Sequence, residues 1–212
     1  LLEAPKMDLT AHITTFSTHP TDDSISAVDA PPVPDWPFCL VYDLETDSNV
    51  PRGNSGFNRD DFLFRQMQFT CACALALPSD AILRGNPAEA ILAAGCRFTF
   101  WRDVAPKGGS PVAKLLDLFD KAEVIVGFNS LGFDAPVIRR FYKFRSTAGT
   151  LPPEQRYLLH RAKTLDIMAR VRDASGTHFK LQAMLESNRL AGKSGDGADA
   201  VALWRRAEAA GA

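Results

Sequence analysis

Carboxylates at positions 43 and 45 are the first residues in this 212-residue chain whose type and spacing could do chemistry. They lie in Phe38-Cys-Leu-Val-Tyr-Asp43-Leu-Glu45-Thr46, an aromatic, β-branched and apolar run that follows Pro34 and Pro37 and breaks up after Asp47-Ser-Asn. That pattern predicts a strand. Alternate side chains of a strand share a face, so Asp43 and Glu45 stand side by side while Leu44 points the other way, into the core. Neighbouring carboxylates repel unless protons or cations intervene. A pair of hard oxygen donors placed like this suits Mg²⁺ or Mn²⁺. The same residues also fit a strand running out into a solvated acidic edge of Asp43, Glu45 and Asp47. Asp-x-Glu alone does not decide between the two.

A third carboxylate arrives about eighty residues later, in Asn129-Ser-Leu-Gly-Phe133-Asp134. Here a short buried strand, 123–128, gives way to a helix expected over 135–144. Asp134 sits near the helix start, where a carboxylate interacts favourably with the helix dipole. Asn129 can hold the loop or contact a substrate through its amide, and Phe133 is placed to pack beneath Asp134. Taken alone, Asn129 and Asp134 fit ordinary helix capping equally well.

The elements that must position these residues are readable in outline. After the first strand, 64–77 and 96–103 read as two more strands, which predicts an antiparallel meander. Residues 87–94 form a short helical segment, with Asn86 as N-cap and Pro87 opening it. A helix over 111–122 is opened by Ser110 and Pro111, and Val112, Leu115, Leu116 and Phe119 make its apolar stripe. The strand 123–128 and the helix after Asp134 then complete a strand–helix–strand–helix order, which indicates a mixed sheet with helices packed on it. The last third reads as helical: 152–162, an apolar segment from Thr164, 179–188 and 196–210. Asp166 falls in that intermediate segment and reads as structural. Residues 1–37, rich in Thr, Ser, Asp and Pro, read as an extended or disordered tail meeting the domain at Trp36, and the domain covers 38–212.

Taken together, Asp43-Leu-Glu45-Thr46 on a first strand and Val124-Ile-Val-Gly-Phe-Asn129-Ser-Leu-Gly-Phe133-Asp134 resemble the motifs of the DEDD (DnaQ-like) 3′–5′ exonuclease superfamily. The stretch Lys180-Leu-Gln-Ala-Met-Leu through Trp204 is similar to the region before the final motif in related proteins. The resemblance implies an α/β, ribonuclease H-like fold and a metal-dependent exonuclease that hydrolyses phosphodiester bonds in DNA or RNA. It implies Asp43, Glu45 and Asp134 as catalytic metal ligands for Mg²⁺ or Mn²⁺, with Thr46, Asn129 and Phe133 at the substrate. The partner would be nucleic acid, as a single-stranded 3′ end. Two ions could activate a water and stabilise the leaving oxygen.

One part of the family pattern is missing. Members carry a fourth acidic ligand on a late helix, preceded by Tyr four residues or His five residues earlier. Four residues after Tyr157 stands Arg161, and five after His178 stands Ala183. Neither Tyr nor His stands at the needed spacing before Asp196 or Asp199. The expectation is a chain that stops ahead of this motif, leaving the two-ion site incomplete. The alternative is a catalytically degenerate ribonuclease H-like module that binds nucleic acid or scaffolds an assembly.

Composition narrows the class. The chain is 46% hydrophobic and 23% charged with net charge −1, and it has no apolar run of membrane-spanning length. Residues 1–60 hold 3 Lys/Arg against 10 Asp/Glu, a net of −7, and residues 131–212 hold 14 against 8, a net of +6. Within the second half, Arg139, Arg140, Lys143 and Arg145 could track a nucleic-acid backbone or form a solvated face. The four cysteines form no zinc pattern and read as packed free thiols. With no signal or transit peptide at the start, they point to a reducing compartment, cytoplasm or nucleus.

Overall fold

A computed structural model of the chain describes residues 31–47, 68–101, 111–145, 151–190 and 206. Among the described residues, five strands form one mixed sheet in the order β3-β2-β1-β4-β5. Strand β1 (Phe38–Asp47) lies at its centre. It pairs antiparallel with β2 (Gln68–Pro78) and parallel with β4 (Val124–Gly127). The edges are β3 (Cys96–Trp101), antiparallel to β2, and β5 (Thr164–Asp166), parallel to β4. An antiparallel meander followed by parallel strands with helices between them is the ribonuclease H-like arrangement expected from the sequence.

The alternation of β1 determines which face is covered. Phe38, Leu40, Tyr42 and Leu44 are buried, whereas Val41 and Asp43 are exposed. The inner face packs on helix α3 (Pro111–Lys121) and on α4 (Asp134–Arg139). Leu115, Leu116, Leu118 and Phe119 of α3 and Val137 and Ile138 of α4 lie in the same core as β1, and the Tyr42 and Phe119 rings meet edge to face with centroids 4.8 Å apart. Burying each such side chain contributes about 1.5–3 kcal/mol. Trp36 adds an edge contact to Phe38 at 5.8 Å, just ahead of the strand.

Other elements depart from expectation in instructive ways. The segment from Thr164, expected to be helical, begins with the fifth strand and only then turns into α6 (Ile167–Ser175). Three residues are too few to show a strand period, so only pairing with β4 reveals β5. The helix expected over 135–144 is α4 followed by a 3₁₀ segment, Arg140–Arg145. Asn86 is not a cap: Pro87 holds the N-cap position of α2 (Ala88–Ala93), with no side-chain cap bond. A short helix α1 (Ser79–Leu83) between β2 and α2 was not expected. Helices α5 (Pro153–Ala162) and α7 (Leu181–Ser187) form near their expected places. Ser110, Asp196, Asp199 and the tail over 1–30 lie outside the described residues, as does most of the helix expected over 196–210. No helix among the described residues is long and apolar enough to cross a membrane.

A polar network, buried except at Asp120, ties the helical layer together. The Tyr142 hydroxyl and His160 Nδ1 share a hydrogen bond of 2.7 Å, and His160 Nε2 meets Asp120 Oδ1 at 2.8 Å. Arg156 binds both Asp120 oxygens, through Nε at 2.8 Å to Oδ1 and through its terminal nitrogen to Oδ2. Thus α3, the 3₁₀ segment and α5 are joined by groups that leave few donors unmet, which is what makes burying them tolerable.

Candidate active site

Near its end, between Glu45 and Thr46, strand β1 shifts its register with β2. Glu45 faces Cys71 and Thr46 faces Phe69, so Thr70 is the additional residue of a bulge. Ahead of the bulge, Asp43 stands opposite Cys73 on the outer face of the sheet. Asp43 is exposed and Glu45 half-buried, whereas Thr46, at 7% exposure, belongs to the inner side. Cys73 is exposed too, not packed as expected, and all four cysteines are free. Burial raises the Cys71 thiol to about 11, helped by the neighbouring Cys73 and by Glu45.

Asp134 reaches the same strand from the other side of the β1–β4 pair. Strand β4 runs parallel to β1 and stops at Gly127, and a tight loop carries the chain to α4, whose first residue is Asp134. Within the loop Asn129 takes a left-handed conformation, φ 61°. Its carbonyl accepts from Gly132 N–H at 3.1 Å and Phe133 N–H at 2.9 Å, while Ala135 N–H binds the Ser130 carbonyl at 2.8 Å. Gly127 is required by close approach, whereas a side chain at Gly132 would press only on the movable end of Asn129. A Cβ on Gly127 would lie 2.6 Å from Ser130 Cβ, and one on Gly132 would lie 2.6 Å from Asn129 Oδ1. Asn129 therefore shapes the loop. Phe133 is half-buried and packs against the core.

The outcome is a buried carboxyl, 3% exposed, whose Oδ1 accepts the Leu44 N–H at 3.2 Å. Leu44 lies between Asp43 and Glu45, so this bond brings Asp134 to the backbone of the acidic pair. Burial, and next the charge of Asp43, push the Asp134 carboxyl up to about 8, outweighing backbone hydrogen bonds that favour its ionised form. A hard divalent cation beside Asp43 and Asp134 would supply the positive charge this arrangement lacks, and the oxygen donors suit Mg²⁺ or Mn²⁺. The donor set is partial: among the described residues no group of three or more His, Cys, Asp or Glu is placed to hold an ion. Residues two apart on a strand are separated by about 6.7 Å, so Asp43 and Glu45 stand side by side.

Two other expectations change at this site. Arg139 is engaged: it binds Glu154 through Nε at 3.3 Å and a terminal nitrogen at 2.8 Å, and its guanidinium lies 5.1 Å from the centre of the Tyr157 ring. It therefore braces α4 against α5. Arg140 lies over the Phe141 ring at 4.7 Å. Asp166, in contrast, does more than sequence reasoning gave it, because its carboxylate binds Asn129 N–H at 3.0 Å and Leu131 N–H at 2.9 Å. Only the β5 pairing with β4 brings it there, so no local motif signalled the contact.

No protein-family model matches the chain, and neither does any curated protein. Solved structures do, 14 chains in all. E. coli exonuclease I in complex with an oligonucleotide is 16% identical over 79% of this chain and 39% of its own, with a TM-score of 0.46. A product-bound exonuclease I is 16% identical over 75% of this chain and 40% of its own, again with a TM-score of 0.46. The family B DNA polymerase of Pyrobaculum calidifontis is 22% identical over 53% of this chain and 11% of its own, with a TM-score of 0.29. This chain spans less than half the length of each. At such distances one fold hosts unrelated activities, so none of these similarities decides what this protein does.

Proposed function

We propose that this protein is a metal-dependent 3′–5′ exonuclease that hydrolyses phosphodiester bonds in DNA or RNA, a member of the DEDD superfamily that its motifs resemble. The observation that carries the proposal is the Leu44–Asp134 hydrogen bond, by which a buried carboxyl from a second motif meets the strand bearing Asp43 and Glu45. Asp43 and Asp134 would hold a divalent ion, Mg²⁺ or Mn²⁺, with Glu45 beside them on β1. When bound, divalent ions supply an activated water and neutralise charge on the phosphate. Asp134 must give up its proton to bind one. The ribonuclease H-like sheet supports this function, because it sets the acidic pair at the C-terminal half of its central strand. Phe133 and Asn129, on the loop into α4, are the residues assigned to a single-stranded 3′ end, whereas Thr46, beside Glu45, is buried on the inner side of the sheet.

The test is Mn²⁺-dependent degradation of 3′-labelled and 5′-labelled single strands, with Asp43→Ala as control. Shortening from the 3′ end that needs the metal and vanishes in the control is the expected result. Intact substrate with both proteins folded would overturn the proposal and leave a ribonuclease H-like module that binds or scaffolds.

A further inference from the structure

Asp166 is the last residue of β5 and lies opposite Gly127 in the parallel register with β4. It is 4% exposed. As N-cap of α6 it needs a single acceptor, and Oδ1 receives the Ala169 N–H at 3.2 Å. Two further bonds exceed that duty. Oδ1 also accepts from Asn129 at 3.0 Å and Oδ2 from Leu131 at 2.9 Å, across 37 and 35 residues. Both donors belong to the loop that delivers Asp134. Hydrogen bonds to an ionised carboxylate are stronger than those between neutral groups. They also favour the left-handed backbone of Asn129, a conformation that costs an ordinary residue free energy. Downstream the loop is tied by the Gly132 and Phe133 N–H groups on the Asn129 carbonyl and by the Ala135–Ser130 bond.

We infer that Asp166 is a positioning residue for the candidate site: by fixing the N–H groups of Asn129 and Leu131 it sets where the Asp134 carboxyl meets Leu44 and Asp43. Its consequence for the ion rests on the proposed function, whereas its consequence for Asp134 does not. The experiment separates the two by using Asp166→Ser, whose hydroxyl can still cap α6 but is too short for the loop, and Asp166→Asn, which keeps the cap and one loop acceptor. The Leu44 amide resonance reports the Asp134 bond without metal, with Asp134→Ala as reference, and Mn²⁺ titration followed by its electron paramagnetic signal reports the ion.

The expected result for Asp166→Ser is a Leu44 resonance displaced toward that of the Asp134→Ala protein. With it goes a tenfold to hundredfold rise in the Mn²⁺ needed for half-saturation, the range seen when a ligand's supporting contact is lost. Asp166→Asn should show the same changes, smaller. An unmoved Leu44 resonance in folded Asp166→Ser, or in Asp166→Asn if the serine protein does not fold, would overturn the inference. Failure of the unmodified protein to bind Mn²⁺ would overturn the proposed function and leave the Leu44 resonance to decide the role of Asp166.

Discussion

The Leu44 N–H donates to Asp134 Oδ1 at 3.2 Å across 90 residues of sequence, so the start of helix α4 is registered on the strand that carries Asp43 and Glu45. The bond joins two residues with opposite histories. Leu44 is placed by the hydrophobic alternation of β1, and Asp134 by a loop whose shape depends on glycine contacts and on Asp166.

The buried position of Asp134 has a stability consequence. Burial, then the charge of Asp43, raise its carboxyl from 3.8 to about 8. A group raised in the folded state contributes fully to stability below its unfolded pKa, and that contribution is lost as pH rises through the folded value. The window is thus about pH 4 to 8. In metal-free buffer, Asp134→Asn should become progressively more stable than the unmodified protein across it, by on the order of a few kcal/mol at the alkaline end. Urea unfolding at pH 5 and pH 8.5 measures this. The same variant should lose nuclease activity, because an amide is a poor substitute for a carboxylate at the ion. Equal stability of the two proteins at both pH values would sink the assignment of Asp134 as a strained acid.

Asp43 supplies the second push on Asp134. Asp43→Asn should therefore lower the Asp134 carboxyl from about 8 toward its ordinary range, leaving burial as the main cause of what remains. A ¹³C NMR titration of the Asp134 carboxyl without metal would follow the midpoint. An unchanged midpoint would mean that the two carboxylates do not sense one another, and the case for a shared ion would fall with it.

Much of this arrangement was legible beforehand because its signals are local. The alternation of Phe38, Leu40, Tyr42 and Leu44 against Val41 and Asp43 both announces a strand and tells which side is core. The apolar stripe of α3 likewise needs no partner to be seen. The acidic residues were placed on the elements they occupy, Asp43 and Glu45 on β1 and Asp134 at the head of a helix. What sequence could not give depends on pairing. Thr164–Asp166 is a strand because β4 lies beside it, and Asp166 meets the Asn129 loop only through that pairing. Arg139 fits a nucleic-acid backbone or a solvated face equally well in sequence, and only the fold brings Glu154 and Tyr157 within its reach. The Asp120, Tyr142, Arg156 and His160 network joins residues 18 to 40 apart, spacings that no helical or strand period picks out.

Close approach at the end of β4 gives a steric prediction. A methyl group on Gly127 would meet Ser130 Cβ at 2.6 Å and Ser130 Oγ at 2.8 Å, too near for either to remain. Gly127→Ala should destabilise by about 1–3 kcal/mol, as overpacking of a full interior does. The effect should be strongly non-additive: Ser130→Gly removes the clashing atoms, so the double variant should recover part of the loss. Thermal unfolding of the two single variants and the double variant tests the cycle. A purely additive double variant would place the cost elsewhere, in the backbone of the loop.

Acid should loosen the helical layer in two stages, through His160 and then Asp120. Burial holds the His160 imidazole below its usual 6.5, although Asp120 pulls the other way. Asp120 is opposed by burial, yet its hydrogen bonds from His160 and Arg156 win and hold it at about 2. Both groups have depressed folded values, so both contribute stability at neutral pH that acid removes. His160 acts first, since the unfolded chain takes up its proton near pH 6.5 and the folded chain resists. Asp120 follows from about pH 3.8 down to about 2, with an effect reduced by the solvent that reaches its side chain. Protonated His160 would also lose its acceptor at Nδ1, where the Tyr142 hydroxyl bonds at 2.7 Å. His160→Gln should lower stability at pH 7, and its deficit against the unmodified protein should shrink between pH 6.5 and 5, while the deficit of Tyr142→Phe should persist across that range. Melting temperatures of the three proteins across that range are the check. A difference in melting temperature between the unmodified and His160→Gln proteins that stays constant from pH 6.5 to 5, where the opposing contribution of Asp134 is common to both, would show that burial does not hold His160 neutral.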